Sequence, residues 1–212
     1  MTERREHEIR AVATDGHRLA RAQTAVPAGA DGMPGIIIPR KTVGEIQKLL
    51  DGADAASTAD IEISGTKIRV TFGSVVLTSK LIDGTFPDYA RVIPQNNDKA
   101  LKVDRATFSN AVDRVSTIAS ERGRAVKLSL SEDGRLSLTV NNPDSGSATE
   151  EIDVDYQQTA LDIGFNSRYL LDIAGQLKTA TALFRFADPG SPTLIQDEGD
   201  DEALYVLMPM RV

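Results

Sequence analysis

The sequence has no cysteine, and no stretch of it approaches the ~18 consecutive apolar residues that a membrane-spanning helix needs. Without cysteine, disulfides and thiolate metal sites are excluded, and a cytoplasmic location is expected. The first residues, MTERREHEIR, are charged from the start, which is not the pattern of a signal peptide. These absences, with 41% hydrophobic and 26% charged residues, predict a soluble globular protein of one large or two smaller domains.

Positively charged residues are also fewer than negatively charged ones. The 24 Lys and Arg residues face 31 Asp and Glu residues, which gives a net charge of -7. A protein that binds DNA tightly by direct contact is usually basic, because phosphate contacts supply most of its affinity. The charge argues against such a protein, but it allows one that encloses DNA and needs only a locally basic inner surface.

Few residues could carry catalysis. The histidines are His7 and His17, and the sequence indicates no partner for His7. Asp15 and His17, separated by Gly16, could form the acid–base dyad of a small hydrolase. A tight turn between two strands is the favoured interpretation, because no nucleophile or metal cluster accompanies the pair. The acidic run at 197–202 is interpreted as a solvated loop, and neither GxxxxGK nor GxGxxG occurs. We therefore predict a non-enzymatic protein with no catalytic residues, no bound metal and no cofactor.

Three helices are predicted where apolar residues recur at the 3.6-residue period. They cover Lys41–Leu50, Arg105–Ala119 and Ser167–Leu177. Asp104 and Asn166 stand at the N-cap positions of the second and third helices, where their side chains can accept from free backbone N–H groups. The apolar face predicted for the first helix consists of Val43, Ile46, Leu49 and Leu50.

The predicted elements repeat. An apolar strand, a polar cap, a helix and three strands form one unit, which starts at Gly35, near Ala100 and near Leu161. Before the first unit, the stretch Glu8–Val26 supplies only two strands, so we expect the chain to begin inside a domain. Two units per domain predict an incomplete domain at residues 1–94 and a complete one at 95–212, in an α+β fold with helices packed on one side of curved antiparallel sheets.

The chain ends on an apolar strand that contains Met208 and Met210. Methionine is flexible and polarisable, and it suits surfaces that accept varied apolar partners. The residues alone leave two interpretations equally open, a groove lined by these methionines or an ordinary strand that closes a sheet.

Four segments carry a resemblance to a known family. They are VATDGHRL at 12–19, KLIDGTFPDYARVIP at 80–94, IGFN at 163–166 and VLMPMR at 206–211. In this order and spacing they resemble the bacterial sliding clamp, the beta subunit of DNA polymerase III. The resemblance implies the DNA clamp fold, in which repeated βαβββ units place curved antiparallel sheets outside and helices on the inner face. This chain would be the back part of the middle domain plus the whole last domain.

The resemblance also implies a function and partners. Such a clamp encircles double-stranded DNA as a head-to-tail homodimer and acts as a processivity factor. It tethers the polymerase III alpha subunit, the clamp loader and other proteins that carry a clamp-binding motif, without a membrane. The alternatives are a clamp-derived fragment that binds partner peptides without loading onto DNA, and the hydrolase using Asp15 and His17.

The site residues are assigned by matching this sequence to the family's segments. Ring closure would involve Thr117 and Ile118, and the DNA-facing residues would be Lys41, Lys48, Arg105 and Arg114. The partner-peptide pocket, between the middle and last domains, would consist of Thr14, Gly16, His17, Arg18, Leu19, Pro87, Arg91, Val92, Asn166, Tyr169, Pro192, Val206, Met208, Pro209, Met210 and Arg211.

Overall fold

The computed structural model describes residues 1–5, 8–54, 56–120 and 124–212. His7 lies outside the described residues. Contacts between residues divide the chain into two compact units, one formed by Met1–Val12 and Gln23–Pro87, the other by Ala13–Ala22 and Asp88–Val212. The boundary at residues 94/95 stays a prediction. No helix in the described part of the chain is long and apolar enough to span a membrane.

Strands outnumber helices, as the α+β prediction requires, and this fold class is confirmed. A short 3-10 helix lies at Tyr89–Arg91. In chain order the strands and α-helices are β1 (Thr2–Arg5), β2 (Glu8–Thr14), β3 (Arg18–Ala25), α1 (Arg40–Leu50), β4 (Asp60–Ile63), β5 (Lys67–Phe72), β6 (Val75–Lys80), β7 (Lys99–Asp104), α2 (Arg105–Ser116), β8 (Ala125–Ser131), β9 (Arg135–Asn142), β10 (Gly146–Asp153), β11 (Leu161–Asn166), α3 (Ser167–Ala174), β12 (Thr181–Phe186), β13 (Thr193–Asp197) and β14 (Ala203–Leu207).

The predicted repeat is visible in this order. Strand β7, helix α2 and strands β8 to β10 form one βαβββ unit, and β11, α3 and β12 to β14 form the next. The unit predicted from Gly35 differs, because an isolated bridge between Ile36 and Thr2 replaces its first strand. Helix α1 and strands β4 to β6 then follow as expected.

The first unit has a small core. Strands β4, β5 and β6 form an antiparallel sheet, and Ile68 and Val70 of β5 are buried with Ile36. Helix α1 buries Thr42, whose Oγ1 lies 2.7 Å from the Ser79 Oγ. The predicted apolar face of α1 is only partly covered in this chain, since Ile46 packs against this core whereas Val43 and Leu50 are 50% and 41% exposed.

The second unit has an extensive core between two sheets and two helices. One sheet has the strand order β10-β9-β8-β11, and the other continues from β3 through β14, β13 and β12 to β7. Alternate residues of β8 and β9 are buried, which is the pattern of strands with one face against a core. Helix α2 packs on α3, and Phe108 and Leu170 enter the same core.

Both predicted N-caps form. The Asp104 carboxylate accepts from the Thr107 amide at 2.8 Å, and the Asn166 Oδ1 accepts from the amides of Arg168 and Tyr169 at 3.0 and 3.3 Å. Both helices end earlier than predicted. Helix α3 ends at Ala174, and a few residues later the backbone amide of Lys178 turns to the buried Asp197 carboxylate. The Asp197 carboxylate of β13 thus accepts the hydrogen bond that a helix carbonyl would otherwise accept from this amide.

Candidate functional site

The Thr14–Arg18 segment forms a tight turn in the second unit. The Thr14 Oγ1 donates to the Arg18 carbonyl at 2.9 Å and accepts from the Gly16 amide at 3.2 Å. The Asp15 Oδ1 accepts from the amides of His17 and Arg18, each at 3.0 Å. Gly16 has a φ of 86°, a left-handed conformation that strains any residue with a Cβ. Two side chains and one glycine therefore hold the shape of this turn.

The Asp15 carboxylate is occupied by the turn itself. Burial alone raises the pKa of Asp15, but the hydrogen bonds from the His17 and Arg18 amides and from the Arg18 side chain outweigh it, so the pKa lies below its ordinary value. Within the described residues, no hydrogen bond joins this carboxylate to the His17 ring. A carboxylate used in this way is a poor orienting partner for a histidine base, which disfavours the hydrolase interpretation.

Arg18 links the turn to helix α3. Its Nε donates to the Asp15 Oδ2 at 3.1 Å and its Nη1 to the Asp172 Oδ2 at 2.7 Å. Its guanidinium lies 4.2 Å from the centroid of the Tyr169 ring, which also stands 6.4 Å from the His17 ring. Burial alone lowers the pKa of Arg18, but the two carboxylates raise it by more than burial lowers it. The pKa of Arg18 therefore lies above its ordinary value. Arg18 therefore fixes the position of the turn relative to the first turns of α3.

Sequence reasoning missed Asp172. A signal for it was present, because Asp172 follows Tyr169 by three residues and such pairs lie side by side on a helix. Its partner Arg18 is 154 positions away along the chain, a separation that periodicity does not reveal.

The C-terminal segment runs beside this turn. Strand β14 pairs with β3, so Val206 lies opposite Leu19. The Met208 amide then donates to the His17 carbonyl at 2.9 Å, and the Met210 amide donates to the Gly164 carbonyl at 2.8 Å. A Cβ at Gly164 would stand 2.7 Å from the Met210 carbonyl oxygen and would clash with a Val212 methyl carbon. Only glycine at this position lets the segment approach β11 so closely.

A small cavity lies where the turn meets this segment. Leu19 and Val206 are buried beneath it, while Val92 and Met208 are 44% and 37% exposed. Its volume is about 20 Å³, which is room for roughly one water molecule. All of its described lining residues belong to the set predicted for the peptide pocket: Thr14, Gly16, His17, Arg18, Leu19, Val92, Val206 and Met208.

The other predicted pocket residues are distributed differently. Pro209, Met210 and Arg211 line a second groove of about 610 Å³, together with Gly164 and Lys127. This groove is separate from the small cavity, so the methionines of the C-terminal segment face two depressions instead of one.

Five predicted pocket residues line neither depression. Asn166 caps α3, and Tyr169 lies under Arg18. The Pro192 carbonyl accepts from the Asn97 Nδ2 at 2.9 Å. The two remaining residues are Arg91, which is exposed and paired with Asp88 at 2.9 Å, and Pro87, which belongs to the first unit.

The predicted DNA-facing residues have unequal surroundings. Lys41 is exposed, and Lys48 pairs with Glu45 at 3.1 Å. The Arg105 Nη1 donates to the Leu177 carbonyl at 3.2 Å, and its Nε is buried. Arg114 holds Glu150 of β10 with both Nε and Nη2, at 2.9 and 2.5 Å. The chain itself therefore engages both arginines of α2.

The two residues predicted for ring closure differ in exposure. Thr117 is exposed, and its hydroxyl donates to the Asp113 carbonyl at 3.3 Å. Ile118 packs against the core, and its carbonyl accepts from the Asn142 Nδ2 at 2.6 Å. Of this pair, Thr117 is the one with a side chain available at the surface.

Comparison with known proteins identifies the family. Residues 1–88 match the central domain of the DNA polymerase III beta subunit, and residues 90–211 match its C-terminal domain. The chain belongs to the DNA polymerase III beta subunit family. The resemblance carried by the four sequence segments is thereby confirmed.

Relatives in this family are similar over nearly the whole chain. The beta sliding clamp of Caulobacter vibrioides is 54% identical over 207 residues, 98% of this chain and 55% of that protein. The Escherichia coli beta sliding clamp is 40% identical over 97% of this chain and 55% of its own length. A crystal structure of the Bartonella birtlesii sliding clamp bound to griselimycin covers 100% of this chain and 57% of that one, at 57% identity and a TM-score of 0.94. The chain thus spans about half the length of the curated relatives it matches.

Proposed function

We propose that this chain is part of a sliding clamp, a non-catalytic processivity factor that encircles double-stranded DNA and tethers proteins to it. The partners would be the polymerase III alpha subunit, the clamp loader and other proteins with a clamp-binding motif, acting in the cytoplasm. Membership of the DNA polymerase III beta subunit family supports the proposal. The observation that carries the binding role is the small cavity, because each described residue that lines it was predicted for the peptide pocket from the resemblance.

The chemistry of the cavity fits an apolar peptide anchor. Leu19 and Val206 supply a fixed apolar floor, and Val92 and Met208 supply an exposed apolar rim. A leucine or phenylalanine side chain is far larger than the 20 Å³ available. We infer that the anchor enters when the Met208 side chain rotates outward, since methionine has three flexible bonds and a free side at the surface.

Polar groups around the cavity would orient the peptide. The Arg18 guanidinium is already committed to Asp15 and Asp172, so its role would be to position the turn. The His17 ring remains available for hydrogen bonds to the peptide's main chain or acidic side chains, and Arg211, which lines the separate groove, would meet the peptide only where it extends beyond the cavity. A buried apolar anchor surrounded by such polar contacts is the usual distribution of energy in a peptide site.

Fluorescence anisotropy with a labelled clamp-binding peptide from the polymerase alpha subunit tests the site. Met208→Ala and Leu19→Ala should each weaken binding about tenfold, because truncating a central anchor contact costs more than 1 kcal/mol. Met33→Ala is the matched control, since Met33 is partly buried in the first unit. Equal affinity for wild type, Met208→Ala and Leu19→Ala would remove the cavity from the binding site.

The head-to-tail homodimer is proposed for the longer protein. Because this chain covers about half of its relatives' length, we expect it not to close a ring by itself. Light scattering should then give the mass of a monomer, 22.8 kDa. A stable closed dimer of this chain would contradict that expectation. Peptide binding without retention on circular DNA would favour the alternative role as a peptide-binding fragment.

A further inference from the structure

The chain itself engages two of the three cationic side chains on helices α2 and α3 of the second unit. Arg105 is bound to a carbonyl and Arg114 to the Glu150 carboxylate. Arg168 is the remaining cationic residue of α2 and α3, and its guanidinium has no hydrogen-bond or ion-pair partner within the described residues. The two positions of the second unit predicted to attract phosphates, Arg105 and Arg114, are therefore occupied, and Arg168 is not.

Arg168 shares a cavity with a second arginine, Arg124. The cavity, of about 340 Å³, lies between the end of α2 and the start of α3. Within the part of the chain that the structure describes, the Arg124 guanidinium also has no partner. Hydroxyl-bearing side chains of Ser116, Thr117 and Ser167 line the same space, and Asp113 is the one acidic residue among the described lining residues.

The backbone of Arg124 is held in an uncommon conformation. Its φ is 46°, in the left-handed region that residues with a Cβ rarely adopt. Two hydrogen bonds keep it there, from the Arg124 amide to the Ser120 carbonyl at 3.0 Å and from the Ser167 amide to the Arg124 carbonyl at 2.7 Å. Arg124 is thereby tied to the first residue of α3, directly beside Arg168.

We propose that this cavity is a phosphate subsite, in which Arg124 and Arg168 bind one phosphodiester group of the DNA backbone. Guanidinium groups bind phosphate oxygens through paired N–H donors, and contacts limited to phosphate carry no base preference. The described lining residues carry two positive charges, from Arg124 and Arg168, and one negative charge, from Asp113. This proposal rests on the proposed DNA-enclosing function, and it moves the phosphate contact of the second unit from Arg105 and Arg114 to Arg124 and Arg168.

The test is binding of a fluorescein-labelled duplex to this chain over a series of KCl concentrations. Arg124→Gln, Arg168→Gln and the double variant are compared with Arg135→Gln, which removes one charge from an exposed position on β9. Glutamine keeps the Cβ, so the backbone strain at position 124 is unchanged. The slope of log affinity against log salt should fall by roughly 0.9 in the double variant, because one phosphate is no longer neutralised, and it should stay unchanged in Arg135→Gln.

Asp113→Asn provides a test of opposite sign. Removing a carboxylate that faces the bound phosphate should tighten duplex binding about two- to threefold at low salt. The exposed Asp60→Asn removes the same charge away from the cavity, so a gain no larger than that of Asp60→Asn would be a general effect of charge and would count against the subsite. Weakened or unchanged binding by Asp113→Asn counts against the subsite.

The outcomes separate this inference from the proposed function. Equal losses in Arg135→Gln and the double variant would mean a general effect of charge, and would overturn the subsite. Chemical shifts of the Arg124 and Arg168 Nε–H groups that respond to inorganic phosphate but not to duplex would also overturn it. In either case, peptide binding that still depends on Met208 leaves the clamp assignment standing, whereas loss of that dependence counts against the assignment itself.

Discussion

The two units share an order of elements but differ in what their helices bury. Helix α2 buries Phe108, Ala111, Val112 and Val115. Helix α1 has apolar residues at similar spacing, yet in this chain it fully buries Thr42 alone, packs Ile46 against the small core and leaves Val43 half exposed. Because burial of apolar surface is the main favourable term in folding, the same local pattern stabilises the second unit far more than the first. An amphipathic sequence thus specifies a helix without specifying that its apolar face is covered.

Phe108→Ala should have the largest effect on this comparison. The Phe108 ring is buried and lies 5.1 Å from the Phe184 ring, so its removal should destabilise the second unit by about 3–5 kcal/mol. The matched change in α1, Val43→Ala, should cost no more than about 0.5 kcal/mol. Urea unfolding followed by tyrosine fluorescence reports the second unit alone, since all four tyrosines belong to it, and circular dichroism reports both units. Similar losses in the free energy of unfolding for the two variants would show that the difference in burial does not produce a difference in stability.

Amide hydrogen exchange should reveal the same contrast without mutation. The amides of α1 should exchange roughly a hundredfold faster than those of α2, because helices with few buried apolar contacts open at lower free energy. Mass spectrometry of peptides from the two helices measures this at neutral pH. Equal protection would mean that α1 is stabilised by something other than its own burial.

Asp197, the first residue of the run interpreted from sequence as a solvated loop, is instead buried at the end of β13, where it gives the second unit a stabilising contact that acid should remove. The Asp197 carboxylate is 4% exposed and accepts from the amides of Lys178 and Thr179 and from the Thr179 hydroxyl. Burial raises its pKa, but these hydrogen bonds outweigh burial, so the pKa lies below its ordinary value. A depressed pKa contributes stability above the unfolded-state pKa, and that contribution is lost as the pH falls through the folded-state value.

Asp197→Asn should therefore cost about 1–3 kcal/mol at pH 7, with the difference from wild type shrinking as the pH falls below about 4. Urea midpoints measured between pH 7 and pH 3 give this dependence. The exposed Asp60→Asn in the first unit serves as the control. A cost that is constant with pH would indicate impaired packing instead of a missing charge.

Arg18→Lys should have the smallest effect on stability. The side chains of Arg18 and Asp172 are 31% and 46% exposed, so solvent screens their ion pair, and we expect a loss below about 1 kcal/mol. Lysine cannot reproduce the two-directional hydrogen bonding or lie flat over Tyr169, so the turn should lose its fixed position. Peptide affinity should consequently fall by more than stability does, which anisotropy and urea unfolding of the same variant can compare.

Much of this structure could be read from local sequence. The periodicity of α2 and α3, the caps Asp104 and Asn166 and the turn at Gly16 depend on residues within a few positions of one another. The burial of α1 and the ion pair between Arg114 and Glu150 could not be read from local sequence, because both depend on residues that the fold brings together. For the candidate site, the resemblance supplied the residues lining the small cavity, but it did not separate them from the groove at Pro209, Met210 and Arg211.

Gly164 also determines how the four-stranded sheet of the second unit can grow. By admitting the Met210 amide, it allows the chain's own last residues to cover part of the outer edge of β11. Pro209 beside it brings no N–H that would need a further partner. An incoming strand from another molecule therefore meets a blocked margin on that side, while β10, at the opposite margin, offers backbone groups to which it could add. The glycine in β11 thus leaves β10 as the margin of this sheet at which a further strand could pair.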